Sequence, residues 1–184
     1  MDSEKRIRYQ NSMVSTYYPD TSFLDHLVMP DGTEQSCDAE TLTNLHSGKV
    51  FIINSRKRNG LILFKRYHAE FAGPGAAVGG DYDSDCQIAM RVGNLSLLIP
   101  ESYEERQKAY LIRRQWIRLI KQITENSVPQ QRVQKILDQF EQYFTSEMVA
   151  DLPDAAFALL VGVLPQTVGI VRRSGSEVDG KFNS

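Results

Sequence analysis

The sequence predicts an α+β fold: a small antiparallel β-rich part, then a long helix, then a C-terminal helical unit holding a helix-turn-helix. Three observations predict it. Short β-branched and aromatic runs crowd the region before Pro100, separated by glycine and polar turns. After Pro100 the apolar residues switch to helical spacing. Near the end, residues 152–173 read as two short helices about Gly162. The expected division is residues 1–100 for a β-rich sensor or interaction domain, 101–126 for a connecting and dimerisation helix, and 127–184 for the helix-turn-helix domain with a polar tail.

Residues 1–20 look like a loose polar arm. One helical turn is expected over 21–28, with Phe23, Leu24 and Leu27 apolar, and a tight reversal at Met29-Pro-Asp-Gly-Thr33. A short helix is expected from Asp38 to His46, because Ala39, Leu42 and Leu45 share a face; Ser47-Gly48 ends it. Val50–Ile53 and Leu61–Phe64 flank a polar segment ending in Asn59-Gly60, which predicts a β-hairpin with Arg56, Lys57 and Arg58 at its tip. The glycine-rich stretch 72–81 is expected to be a flexible loop. It lacks the Gly-Lys-Ser/Thr ending of a phosphate loop, and Asp81, Asp83 and Asp85 follow it. Ile88–Val92 and Leu95–Ile99 are read as strands joined by a Gly93-Asn94 hairpin turn.

Residues 101–126 predict an amphipathic helix. Ile112, Trp116, Leu119, Ile120 and Ile123 repeat at three and four, and Tyr110 and Leu111 widen the stripe. Arg106, Lys108, Arg113, Arg114, Arg118 and Lys121 give it a basic polar side. Ser127 is the expected cap of the next helix, with Pro129 in its first turn and Gln130 completing a capping box. Val133, Ile136, Leu137, Phe140, Tyr143 and Phe144 line one face of that helix. In 152–173, Gly162 can take the positive φ that ends a helix, and small Ala158 lets the following helix cross close by. Pro165 suits the opening of that second helix.

Composition bounds the function. Of 184 residues, 41% are hydrophobic and 24% charged, as in ordinary globular proteins. No apolar run approaches the ~20 residues of a membrane span, and the start carries no secretory signal, so a soluble cytoplasmic protein is expected. The 2 cysteines, Cys37 and Cys86, form no CxxC pair and are expected as free thiols. A net charge of −2 neither announces nor forbids nucleic-acid binding, for which a local basic face suffices. The histidines His26, His46 and His68 show no metal-ligand spacing, and no Gly-x-Ser-x-Gly elbow is present. No catalytic residue, cofactor site or metal site is therefore assigned, and an enzyme is not expected.

The order of a β-rich part, a long helix, a second helix and a helix-turn-helix resembles bacterial regulators of the cyclic-AMP receptor protein family. Arg132-Val-Gln-Lys-Ile-Leu137 looks like the start of that family's first DNA-domain helix. Ala158-Leu-Leu-Val-Gly-Val163 with Thr167-Val168 looks like its helix-turn-helix. The resemblance covers about 101–173. It implies a dimer paired through the long helix and reading double-stranded DNA in the major groove. It places Gln166, Thr167 and Ile170 towards bases and Thr167, Arg172 and Arg173 at the backbone. Gln166 stands where the family carries glutamate and Ile170 where it carries a guanine-reading arginine. Gln166 can still read adenine, and Ile170 a thymine methyl. The nucleotide-pocket signatures of the family are absent, so no cyclic nucleotide is implied. The alternative is an adaptor that keeps the scaffold and turns Leu164 and Ile170 to a protein partner.

Overall fold

The computed structural model describes residues 39–179, with side chains through Gly175. The expectations for 1–38, including Cys37 and His26, lie outside the described residues. The architecture is α+β: a small antiparallel β region followed by a run of helices. Helix α1 (Ala39–His46) leads into β1 (Val50–Ile53), β2 (Asn59–Phe64), β3 (Ala69–Ala72) and β4 (Ala77–Gly79). A 3-10 turn (Gly80–Asp83) precedes β5 (Ile88–Gly93) and β6 (Leu97–Leu98). Then come α2 (Tyr103–Thr124), α3 (Pro129–Tyr143), α4 (Ser146–Ala150), α5 (Asp154–Val161) and α6 (Pro165–Asp179).

The strands form two sheets, in the orders β4-β1-β6 and β3-β2-β5. The two expected hairpins do not form. β1 and β2 do not pair with each other; each is the centre of a different sheet. β5 runs beside β2 and β6 beside β1, so Gly93-Asn94 is no hairpin turn. The β1–β2 path is one folded-over ribbon, flanked by β3–β4 on one side and β5–β6 on the other. Each pass crosses between sheets at a polar or glycine segment. Backbone bonds carry the ladder through the crossings: Ile53 N donates to Ala76 O at 2.9 Å, and Asn54 N to Ser96 O at 2.9 Å. Every residue of β2 is buried, as befits a strand covered on both faces.

The glycine-rich stretch is not a loose loop. Residues 77–79 are the edge strand β4, buried and paired with β1. Gly79 adopts φ 82°, and a Cβ there would strike the Lys49 carbonyl, so glycine is demanded by both backbone angle and space.

Helix α2 packs along both sheets. Ala109 and Tyr110 sit against Ile52 and Ala77, whereas Trp116, Ile120 and Ile123 join the main core. Trp116 approaches the backbone so closely that a Cβ at Gly73 would enter its ring. Phe71 of β3 meets Trp116 edge-on at 5.1 Å and Phe140 of α3 at 4.7 Å; Phe140 meets Phe157 of α5 at 5.1 Å. One aromatic chain thus ties strand, long helix and C-terminal helices into a shared core.

At the helix ends, Ser102 caps α2 by accepting from Glu105 N. The expected Ser127 capping box is not formed. Val128 holds the cap position of α3, and the Asn126 carboxamide oxygen accepts from Val128 N at 2.9 Å. Pro129 opens α3 as expected. The tail after Arg173 continues as helix to Asp179.

Candidate functional site

The last two helices are set by their turn. Gly162 ends α5 in the left-handed region, φ 65° and ψ 50°. The chain then bends by 113° before α6. Ala158 and Val168 are buried where the helices touch. Gly169 lies against the Asp154 carboxylate. Two arginines hold the pair in place, one from outside it and one from within α6. Arg132 of α3 donates Nη1 to Gly162 O at 3.3 Å and Nε to Asn126 O. It thereby places a cation at the carbonyl end of α5, the favourable end of the helix dipole.

Arg172 is the second. Its Nη2 donates to Val149 O at 3.0 Å and Leu152 O at 2.9 Å, and its Nη1 pairs with Asp154 at 3.1 Å. The guanidinium also lies 5.0 Å from the Phe157 ring centre. Burial pulls its pKa below the ordinary arginine value, against the raising effect of Asp154. Arg172 therefore fastens α6 to the α4–α5 junction.

The other sequence-derived site residues fall differently. Gln166, Ile170 and Arg173 are exposed at spacings of four and three, one face of α6. Thr167 is half-buried at the first turn, where its N–H reaches Leu164 O. Leu164 in the turn is 69% exposed and Ile170 47%.

A charge cluster that periodicity did not suggest lies between α2 and the sheets. Arg113, expected on the basic polar side of α2, is buried, its side chain 2% exposed. Its Nη2 donates to Glu70 at 2.6 Å and Asp83 at 3.2 Å, while Nε and Nη1 have no hydrogen-bond partner among the described residues. Lys65 reaches Asp85 at 2.9 Å, Asp83 at 3.8 Å and Glu70 at 3.9 Å. His68 Nε2 stands 3.1 Å from Glu70. Burial opposes the charge on Glu70, but the Arg113 bond and charge hold its carboxyl below the usual range. Asp83 Oδ2 also accepts from Gly79 N at 2.8 Å, which fixes the glycine-rich turn. The Asp-rich sequence 81–85 is the visible signal of this cluster; its buried partner on α2 is hidden within an apparently basic stripe.

Nearby, Cys86 is buried and free among the described residues, and burial followed by Asp83 pushes its thiol up to about 12. Among the described residues no group of acidic, histidine or cysteine side chains is arranged to hold a metal ion. No single helix among them is long and apolar enough to cross a membrane.

The fold defines an α+β protein whose sheets and C-terminal helices share one core. No protein-family model, curated protein or solved structure matches the chain.

Proposed function

We propose that this protein is a DNA-binding transcriptional regulator that inserts α6 into the major groove. The observation that carries the reading is the turn at Gly162. A left-handed glycine ends α5, and the bend of 113° lies within the roughly 90–120° range of DNA-type helix-turn-helix units. The bend leaves Gln166, Ile170 and Arg173 on one exposed face, with Thr167 at the leading turn. The order of a β-rich part, a long helix, a second helix and a helical pair adds support, because the resemblance to the regulator family rests on that order. Dimerisation falls to α2, whose outer face exposes Tyr103 and Leu111. A cytoplasmic setting goes with this role.

Arg172 changes how the reading is tested. Its role in fastening α6 means that Arg172→Ala should cost about 2 kcal/mol of stability from lost charge-assisted bonds, whatever the ligand. The informative variant is Arg173→Ala, whose side chain is exposed. Sequencing of DNA fragments retained by the purified protein should yield an enriched site. Arg173→Ala should then weaken binding to all sequences and reduce the salt slope by about one unit. Absence of any DNA retention at low salt overturns the reading.

The exposed Leu164 and Ile170 favour a second reading, an adaptor whose helical pair docks a protein partner. A stoichiometric partner lost in Leu164→Asp, with no DNA bound, would select it.

A further inference from the structure

We propose that the groove between β3, α2 and the end of α5 binds a free apolar α-amino acid as its zwitterion. The groove has a volume of about 350 Å³, within the range of small-ligand sites. Its floor is apolar, from Phe71, Ile117, Ile120 and Leu159. Its charged groups are of opposite sign. Glu70 and His68 come from β3 and the segment just before it, and the exposed Lys121 comes from α2.

Glu70 belongs both to the lining of this groove and to the buried charge cluster. Its Oε2 is taken by Arg113, whereas Oε1 faces His68 at 3.1 Å and Lys65 only at 3.9 Å. Behind it, Asp83 and Asp85 add two carboxylates, and Lys65 and Arg113 are the opposing cations. The cluster sets three carboxylates, Glu70, Asp83 and Asp85, against the two side-chain cations Lys65 and Arg113. A ligand ammonium at Oε1 supplies the missing cation. Lys121 has no ion pair among the described residues and meets the carboxylate. The apolar floor takes the side chain.

The same charges select against other ligands. A phosphate or a nucleotide would bring its anionic group against Glu70, and a polyamine would meet Lys121. An uncharged apolar molecule would leave both charged groups without a partner. The ligand also touches the last turn of α5, since Leu160 and Gly162 complete the groove. An effect on DNA affinity through that turn rests on the reading above; the binding itself does not, and is measured without DNA.

The test is calorimetry and thermal melting of the full chain with L-leucine and L-phenylalanine. Isocaproate lacks the ammonium, isoamylamine lacks the carboxylate, and L-aspartate lacks the apolar body. Saturable binding of leucine or phenylalanine is expected, with a raised Tm and each comparison compound at least roughly tenfold weaker. Two exposed-residue variants locate it. Lys121→Met removes the carboxylate partner. His68→Lys puts a permanent cation beside Glu70. Each should weaken leucine binding by roughly tenfold or more. The proposal is overturned if no apolar amino acid binds at concentrations on the order of 10 mM. Equal binding of isocaproate, or undiminished binding in Lys121→Met, also overturns it.

Discussion

Gly162 shows how one backbone angle sets the presentation of α6. Its φ of 65° lies where a Cβ collides with its own peptide, and side chains nearby do not crowd the site. The nearest atom to a Cβ there is Arg132 Nη1 at 3.9 Å. The penalty for a side chain is therefore backbone strain alone. Gly162→Ala should cost about 1–2 kcal/mol, and Gly162→Asn less, because asparagine tolerates the left-handed region. Denaturant melts of the two variants check the ranking, and a Gly162→Ala protein as stable as wild type contradicts it. The glycine was legible in the sequence because a helix ending on it satisfies local rules. Arg172 was not. An arginine near a chain end looks solvent-facing, and only the carbonyls of Val149 and Leu152 turn it inward.

At the scale of elements, helices were more legible than strand pairing. The stripes on α2 and α3 are repeated within each segment, so Trp116, Ile120, Val133 and Phe140 declare a buried face without knowing what covers it. Strand partners are set by residues far away in the chain. Asn59-Gly60 and Gly93-Asn94 carry hairpin chemistry, yet each sits where a ribbon passes between sheets. Asn59 instead bonds inward, its Nδ2 to Asn54 O at 2.8 Å and its Oδ1 to Ser96 N at 3.1 Å. Arg113 is the other case: α2 presents it to Glu70 and Asp83 only once the sheets have formed. Removing it strands two carboxylates, so Arg113→Met should destabilise by roughly 3–5 kcal/mol near neutral pH. The penalty has a definite pH sign. The folded pKa of Glu70 is depressed from 4.5. Its stabilising contribution is present above that value and is lost as pH falls through the folded pKa. The gap between wild type and Arg113→Met should therefore narrow on acidification below about pH 4.5. Thermal melts across that range decide it; a constant or widening gap would show that the pairing is not electrostatic.

Over the whole molecule, the sequence suggests three successive parts, because composition changes at Pro100 and again near Ser127. Composition along the chain does not report what packs against what. Phe71 belongs to a strand, yet its ring contacts Trp116 on α2 and both Phe140 and Phe144 at the α3 end, at 5.1, 4.7 and 5.8 Å. Leu159 and Leu160 of α5 face the same strand across the ligand groove. A core shared this way couples the sheets to the helices, and unfolding one exposes the apolar surface of the other. Phe71→Ala removes a fully buried ring and should cost about 3–5 kcal/mol. The loss should not be confined to the sheets. Helical circular dichroism, which reports mainly α2, α3 and α6, should shift its midpoint as far as Trp116 fluorescence does, and the transitions should coincide. Separate midpoints, with the helical signal holding at its wild-type value, would mean that the helices are stable without the sheets. The aromatic chain would then be a contact between independent units, and a ligand in the groove would have no rigid path from β3 to the Gly162 turn.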